Sequence, residues 1–195
     1  MTSHSVLHMS MSLDGYVAVP DDGPGMGLGV DGGVLHDWLG PSTAERPWFD
    51  PPGVSGQVFA ELMTTGAVVV GRKTFEYAGQ WDGDHHGVPI FVATRDAAVH
   101  DVRPPYVHVV DDDLATLKAW AKEAAGDADV LVHGADLARA CLEAGVLDDL
   151  ELAVVPVLLG GGRRLVDALG TRVALEQTRV LVAPAVTHLR YRVVR

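Results

Sequence analysis

The residues best equipped for chemistry lie where buried strands run out into helices. In Val70-Gly71-Arg72-Lys73-Thr74-Phe75-Glu76 a strand of valines ends at a glycine, and a helix opens at the arginine. Glycine lets the backbone turn tightly, so the first N–H groups of the helix point beyond the strand's end. Arg72 adds a forked cation and Thr74 a hydroxyl in the first turn, which together suit a phosphate. The same residues also fit an ordinary βα turn carrying a surface arginine. A second junction, Ile90-Phe91-Val92-Ala93 into Thr94-Arg95-Asp96, repeats the logic. A third, Val130-Leu131-Val132-His133-Gly134-Ala135-Asp136, opens a helix directly after its glycine. Ligands of open α/β sheets gather outside the carboxyl ends of the strands, so three such junctions point to a nucleotide.

Other groupings carry less. Asp82-Gly83-Asp84-His85-His86 offers metal-ligating types. Adjacent histidines in an acidic, glycine-rich loop are expected to be solvated, and no further cluster fixes a coordination geometry. Asp111, Asp112 and Asp113 read as a charge set at a helix N-terminus. Arg163 and Arg164 either reach a substrate phosphate or lie exposed after a glycine turn. Cys141 is expected as a buried, inert thiol. His8 and His188 read as structural residues of strands.

The elements that position these residues follow from periodicity. Residues 6–13 alternate, with Leu7, Met9, Met11 and Leu13 on one face and His8, Ser10 and Ser12 on the other. That pattern predicts a strand with one face on the core. Segment 20–56 is rich in glycine and proline but contains Trp38, Trp48 and Phe49, and it reads as a lid-like insertion with a short helix over 34–39. Helices are expected over 57–65, 112–125 and 135–144, and short buried strands over 67–70, 90–93, 107–110 and 130–132. Long strands over 150–159, 173–182 and 186–194 end the chain, the last two as an antiparallel hairpin. The whole reads as one α/β domain, 1–195, in three layers around a mixed, mostly parallel sheet.

Composition bounds the partners. The 195 residues are 48% apolar, enough for a full core, and the net charge of −11 disfavours nucleic acid. No apolar run has the length of a membrane span. The lone Cys141 excludes an internal disulfide and points to a cytoplasmic location. The apolar C-terminal hairpin predicts burial against a second copy, hence a homodimer.

Several short motifs occur in a fixed order: Ser12-Leu13-Asp14-Gly15-Tyr16, then Gly71 to Glu76, then the segment at His133, Gly134, Ala135, Asp136 and Leu137. Val146-Leu147-Asp148-Asp149-Leu150, the run from Pro156 through Gly160, Gly161 and Gly162 to Leu165, and His188-Leu189-Arg190-Tyr191-Arg192 complete the series. In this the chain resembles the dihydrofolate-reductase-like superfamily, in the branch of the reductase domain of the bifunctional deaminase-reductase of riboflavin biosynthesis. The resemblance implies NADPH as cofactor, held by Gly71, Arg72, Lys73 and Thr74, by Thr94 and Arg95 at the adenosine 2′-phosphate, and by the 133–137 segment. It implies that Asp14, with Ser12, lines the substrate pocket and serves as the catalytic residue, and that Gly160–Gly162 close that pocket. Three departures stand out. His133 replaces the first glycine of a pair, and Ser55 stands where folate reductases carry a carboxylate, Glu61 being the nearest acid on that helix. The zinc-deaminase signature is absent, so a stand-alone reductase is expected. The reaction implied is hydride transfer to a small heterocyclic or carbonyl substrate, as in reduction of 5-amino-6-(5-phosphoribosylamino)uracil. The alternatives are a non-catalytic nucleotide-binding protein and an enzyme of the dihydrofolate reductase type.

Overall fold

The computed structural model describes residues 3–41, 49–95 and 113–195, and the backbone of 107–110. Among these, eight strands form one sheet in the order β5-β4-β3-β6-β1-β7-β10-β9. They are β1 (Ser5–Ser12), β3 (Ala67–Gly71), β4 (Ile90–Ala93), β5 (Val107–Val110), β6 (Val130–His133), β7 (Asp149–Val155), β9 (Ala174–Ala183) and β10 (Val186–Val194). β5 to β7 run parallel, and β10 alone is antiparallel to its neighbours β7 and β9. A small antiparallel pair, β2 (Tyr16–Ala18) with β8 (Arg163–Arg164), stands beside this sheet. The expected three-layer, mixed and mostly parallel sheet is therefore present.

The valine-rich runs at 67–70 and 130–132 become strands because helices cover both faces of a parallel sheet. On one face α3 (Leu114–Ala125) and α4 (Ala135–Glu143) pack Leu117, Ala121, Ala138 and Cys141 against Leu7, Val69 and Val130. On the other, α1 (Gly53–Leu62) and α2 (Arg72–Tyr77) bring Leu62 and Phe75 onto Val68, Val70, Ile90 and Leu131. Each leucine, valine, isoleucine or phenylalanine among them contributes about 1.5–3 kcal/mol on full burial. β1 departs from the one-sided expectation. As a central strand it is covered on both faces, so His8, Ser10 and Ser12 are buried as well. Ser10 answers its burial by accepting from Trp38 Nε1 at 2.9 Å.

Boundaries shift where local chemistry outranks periodicity. α3 starts at Leu114 because Asp113 caps it, its Oδ1 accepting from the N–H groups of Ala115 (2.8 Å) and Thr116 (3.0 Å). Asp111 and Asp112 lie outside the described residues. α1 opens earlier than expected, with Pro52 as its N-cap. β7 stops at Val155, since Pro156 has no N–H to give the ladder. A partly buried ion pair, Arg179 Nη2 to both Glu151 oxygens at 3.1 Å, ties the hairpin to β7. The lid-like segment is docked: a 3-10 helix at Gly32–Leu39 buries Leu35, Trp38 and Leu39 against Ala153, Val155 and Val186. Trp48 lies outside the described residues. No helix among those described is long and apolar enough to cross a membrane.

Candidate active site

A cavity of about 670 Å³ opens at the carboxyl ends of the central strands. β1 contributes His8, Met9 and Ser10, β6 contributes His133, and α1 contributes Phe59 and Leu62, with Met63 at its C-cap. The docked segment adds Asp22, Leu28, His36, Trp38 and Leu39, and the chain after α2 adds Trp81, Asp82, Asp84 and His85. Lys73, Thr74, Ala135, Asp136 and Arg163 also line it, as does Phe49.

The polar side of this cavity is built by two helix starts. β3 and β6 are neighbours with Val70 opposite His133, so α2 and α4 begin side by side. Their N-caps are Gly71 and Gly134, and neither offers a side chain to the free N–H groups of the first turn. Gly134 has φ +103, and a Cβ there would lie 2.5 Å from Thr74 Oγ1. The close approach of the two turns therefore requires glycine. Uncapped N–H groups, the Thr74 hydroxyl and the Lys73 ammonium are a donor set suited to a pyrophosphate. Gly71 pairs with Ala93, which carries Arg72 and the Thr94-Arg95 end of β4 to the same edge, just off the cavity wall. Arg72 lies 3.9 Å from Glu76. Leu137 departs from the expected cofactor set in its side chain, which is buried in the core because it falls on the inward stripe of α4.

The opposite side is aromatic. A left-handed turn runs through Gln80 (φ 57°), Trp81 (φ 46°) and Asp82 (φ 51°), between Gly79 and Gly83. Three successive non-glycine residues in this region cost about 1–2 kcal/mol each. What the turn provides is Trp81, whose ring sits 5.9 Å from Phe75, 4.6 Å from His85 and 5.7 Å from His133. His85 and His86 are correspondingly half-buried and partnered rather than free in solvent. His86 Nε2 lies 2.9 Å from the Thr65 carbonyl and so donates to it, leaving its Nδ1 to accept from His85 Nδ1 at 2.6 Å. Burial pushes His85 down to about 2, and His8 and His133 down to about 3, so all three are neutral at pH 7. Among the described residues no group of three His, Cys, Asp or Glu could hold a metal ion.

Asp14 is placed differently from the substrate-lining position expected of it. Its Oδ1 accepts from Ser12 Oγ (2.6 Å) and Leu159 N (3.1 Å), and its Oδ2 from Gly160 N (2.8 Å). The Ser12 hydroxyl, then the loop N–H groups, hold the carboxyl down to about 2. Ser12, Asp14 and the Gly160–Gly162 loop are not on the cavity wall. A carboxylate at a strand end beside a glycine loop satisfies itself on backbone donors, and here it fixes the loop. The loop's packing on β2 needs Gly162, where a Cβ would strike the Ala18 carbonyl. It also sets the direction of the next residue. Arg163 donates to Asp22 at 2.7 and 3.2 Å and reaches the cavity. Arg164 stacks on Tyr16, 4.5 Å from the ring centre. Ser55 is buried with its Oγ 3.1 Å from His188 Nε2, and Glu61 is paired with Arg179 at 2.6 Å. Cys141 is buried and its thiol is pushed up to about 12 by that burial.

Comparison with known proteins agrees with this architecture. No curated protein matches the chain in sequence. A protein from Shewanella sp. PV-4 assigned to riboflavin biosynthesis superposes with a TM-score of 0.74 at 23% identity, covering 98% of this chain and 99% of that one. Dihydrofolate reductase from Enterococcus faecalis, complexed with NADP(H), superposes at 0.62 with 14% identity, over 99% and 98% of the two chains. The Thermotoga maritima deaminase/5-amino-6-(5-phosphoribosylamino)uracil reductase superposes at 0.59 with 11% identity, and this chain spans 57% of it. At these identities the likeness is one of fold. The RibD C-terminal domain model, however, matches residues 4–189, nearly the whole chain. The chain thus belongs to the RibD C-terminal domain family, on a dihydrofolate-reductase-like fold.

Proposed function

We propose that the protein is an NADPH-dependent reductase acting on a small heterocyclic or carbonyl substrate, of the kind reduced by 5-amino-6-(5-phosphoribosylamino)uracil reductase. The observation that carries this reading is the pair of adjoining, uncapped helix starts at Gly71 and Gly134, opening onto one aromatic cavity. NADPH, when bound, supplies the hydride. The first-turn N–H groups of α2 and α4, with Lys73 and Thr74, would hold its pyrophosphate, and Arg72 and Arg95 its 2′-phosphate. Trp38, Trp81, Phe49 and Phe59 exclude water and align a ring against the cofactor, which is the protein's main share of such a reaction. Asp14 positions the Gly160 loop and, through it, Arg163.

Folate reduction is a weaker reading, because Ser55 is engaged with His188 and carries no charge to aid protonation of a pterin. We further propose a homodimer in the cytoplasm. The support is β9, a ten-residue edge strand exposing Leu175, Val180 and Val182. Oxidation of NADPH by the purified protein with the ribosylaminouracil phosphate tests the function. Turnover supports it, and an inert protein across pyrimidine and simple carbonyl substrates opposes it.

A further inference from the structure

His85 lines the cavity, whereas His86 is off its wall and half-buried. The Thr65 hydroxyl donates to the Leu62 carbonyl at 2.9 Å. Both Thr65 oxygens beside His86 Nε2, the carbonyl at 2.9 Å and the hydroxyl at 3.1 Å, are therefore acceptors. His86 Nε2 must carry a hydrogen, and in the neutral ring Nδ1 is then a bare lone pair. His85 Nδ1, 2.6 Å away, supplies the hydrogen of that contact, which leaves His85 Nε2 bare. Among the described residues no hydrogen bond engages this Nε2, yet it is not one of the buried orphan atoms, as Nε2 of His8 and of His133 are. It is accessible from the cavity that its ring lines. Trp81 packs edge-on against His85 at 4.6 Å, and Asp84 Oδ1 accepts from Gly87 N at 2.6 Å to close the turn that carries both rings.

A hydride added to a carbonyl or imine carbon leaves a heteroatom that must gain a proton. Asp14 is tied to the Gly160 loop off the cavity wall, and Asp22 is occupied by Arg163. We infer that His85 and His86 act as one proton donor to the cavity ligand, His85 touching it and His86 holding the charge. Loading places a proton on His85 Nε2 while the Nδ1 hydrogen crosses to His86 Nδ1, so the cation lies on His86. Delivery is the reverse. The Nε2–H bond of His85 breaks as the ligand heteroatom gains the proton, and His86 Nδ1 returns its hydrogen to His85 Nδ1. One hydride and one proton complete the reduction, and the pair regains its resting tautomers. The surroundings favour this division of charge. Thr65 at the end of α1 gives the outer ring two acceptors. The inner ring is faced by His133 on β6, His8 on β1, His86 and Asp84. Burial, then His133 and His86, push His85 down to about 2 against the opposing pull of Asp84, so charge does not rest there. The inference rests on the reductase reading for the reaction served, but not for the two states of the pair.

Long-range proton–nitrogen NMR of the 15N-labelled full chain separates protonated from bare imidazole nitrogens, with His85→Gln and His86→Gln giving the assignments. At pH 8 His85 should carry its hydrogen on Nδ1 and His86 on Nε2. From pH 8 to pH 5, the range in which imidazoles ordinarily take up protons, His86 should become doubly protonated. His85 should stay neutral over that range and switch its hydrogen from Nδ1 to Nε2. In His86→Gln the switch should vanish. A His85 that keeps one tautomer, or becomes doubly protonated itself, overturns the inference, as does a switch that survives His86→Gln. The second arm is kinetic, with NADPH and the ribosylaminouracil phosphate. His85→Gln should lower kcat about hundredfold, the scale of a lost general acid, and leave the KM for NADPH unchanged. His86→Gln, a positioning change, should lower kcat less and flatten its pH profile. Undiminished kcat in His85→Gln, or equal losses in kcat and NADPH affinity, overturns the inference. A protein inert towards every substrate whose His85 still switches tautomer upholds the pair while removing the reductase reading.

Discussion

Replacing Gly134 by alanine tests the joint between the two helix starts. At φ +103 and ψ 136 an alanine is held in a region that L-residues rarely occupy, a cost of about 1–3 kcal/mol. Its Cβ would also lie 2.5 Å from Thr74 Oγ1 and 3.2 Å from Thr74 Cβ. Overpacking of that kind costs about 1–3 kcal/mol more. Together these come to about 4 kcal/mol, which for a chain of this size lowers the melting temperature by roughly 8–16 °C. The two costs separate in a second background. Thr74→Ala removes Oγ1 and leaves only the 3.2 Å contact, so adding Gly134→Ala there should cost about half as much. Thermal unfolding of the four proteins, with urea titration for the free energies, provides the measurement. A Gly134→Ala protein melting within about 2 °C of wild type would refute the packing argument and, with it, the need for a glycine between His133 and α4.

Three further outcomes follow from named groups. His8 and His133 fall to about 3 in the folded chain against 6.5 unfolded, so below pH 6.5 the unfolded state binds the extra protons and stability is lost as pH falls. Unfolding free energies from urea titration should decline between pH 7 and pH 5 by roughly 1 kcal/mol per pH unit for each such histidine, and His8→Leu should flatten the slope; a flat profile in the wild type contradicts their burial as neutral rings. Arg72→Ala should weaken NADPH about five- to tenfold and leave NADH nearly unchanged, the effect being modest because Arg72 is partly exposed beside Glu76. Equal losses for both cofactors would move Arg72 to the pyrophosphate or the fold. Light scattering at tens of micromolar should report a dimer, and a monomer would dismiss the role proposed for β9.

Much of the scaffold was legible because it rests on short-range signals. The apolar runs ending at Val70 and His133, the glycine after each, and the alternating C-terminal hairpin all encode their own conformation. The phosphate-facing half of the site is local in the same sense, since Lys73, Thr74, Ala135 and Asp136 follow directly from those turns. The aromatic half is not. Trp81 reaches the cavity only through a left-handed turn of non-glycine residues, which no propensity favours and which tertiary packing must impose. His8 was visible on the polar face of β1, but its burial depended on strands and helices distant in sequence. His85 and His86 sit in a loop whose composition reads as solvated, and only the Thr65 carbonyl and Trp81 make it otherwise. Asp14 shows the converse. Its motif was plain, yet which donors its carboxylate would find depended on where the distant Gly160 loop came to lie.

A nicotinamide dinucleotide is expected to bind across the starts of α2 and α4. Titration of the purified protein with NADPH, followed by nicotinamide emission in the presence and absence of EDTA, tests this most directly. A saturable change with a micromolar dissociation constant, indifferent to EDTA and weakened by Gly134→Ala, is the predicted result. A flat titration up to millimolar NADPH would contradict it.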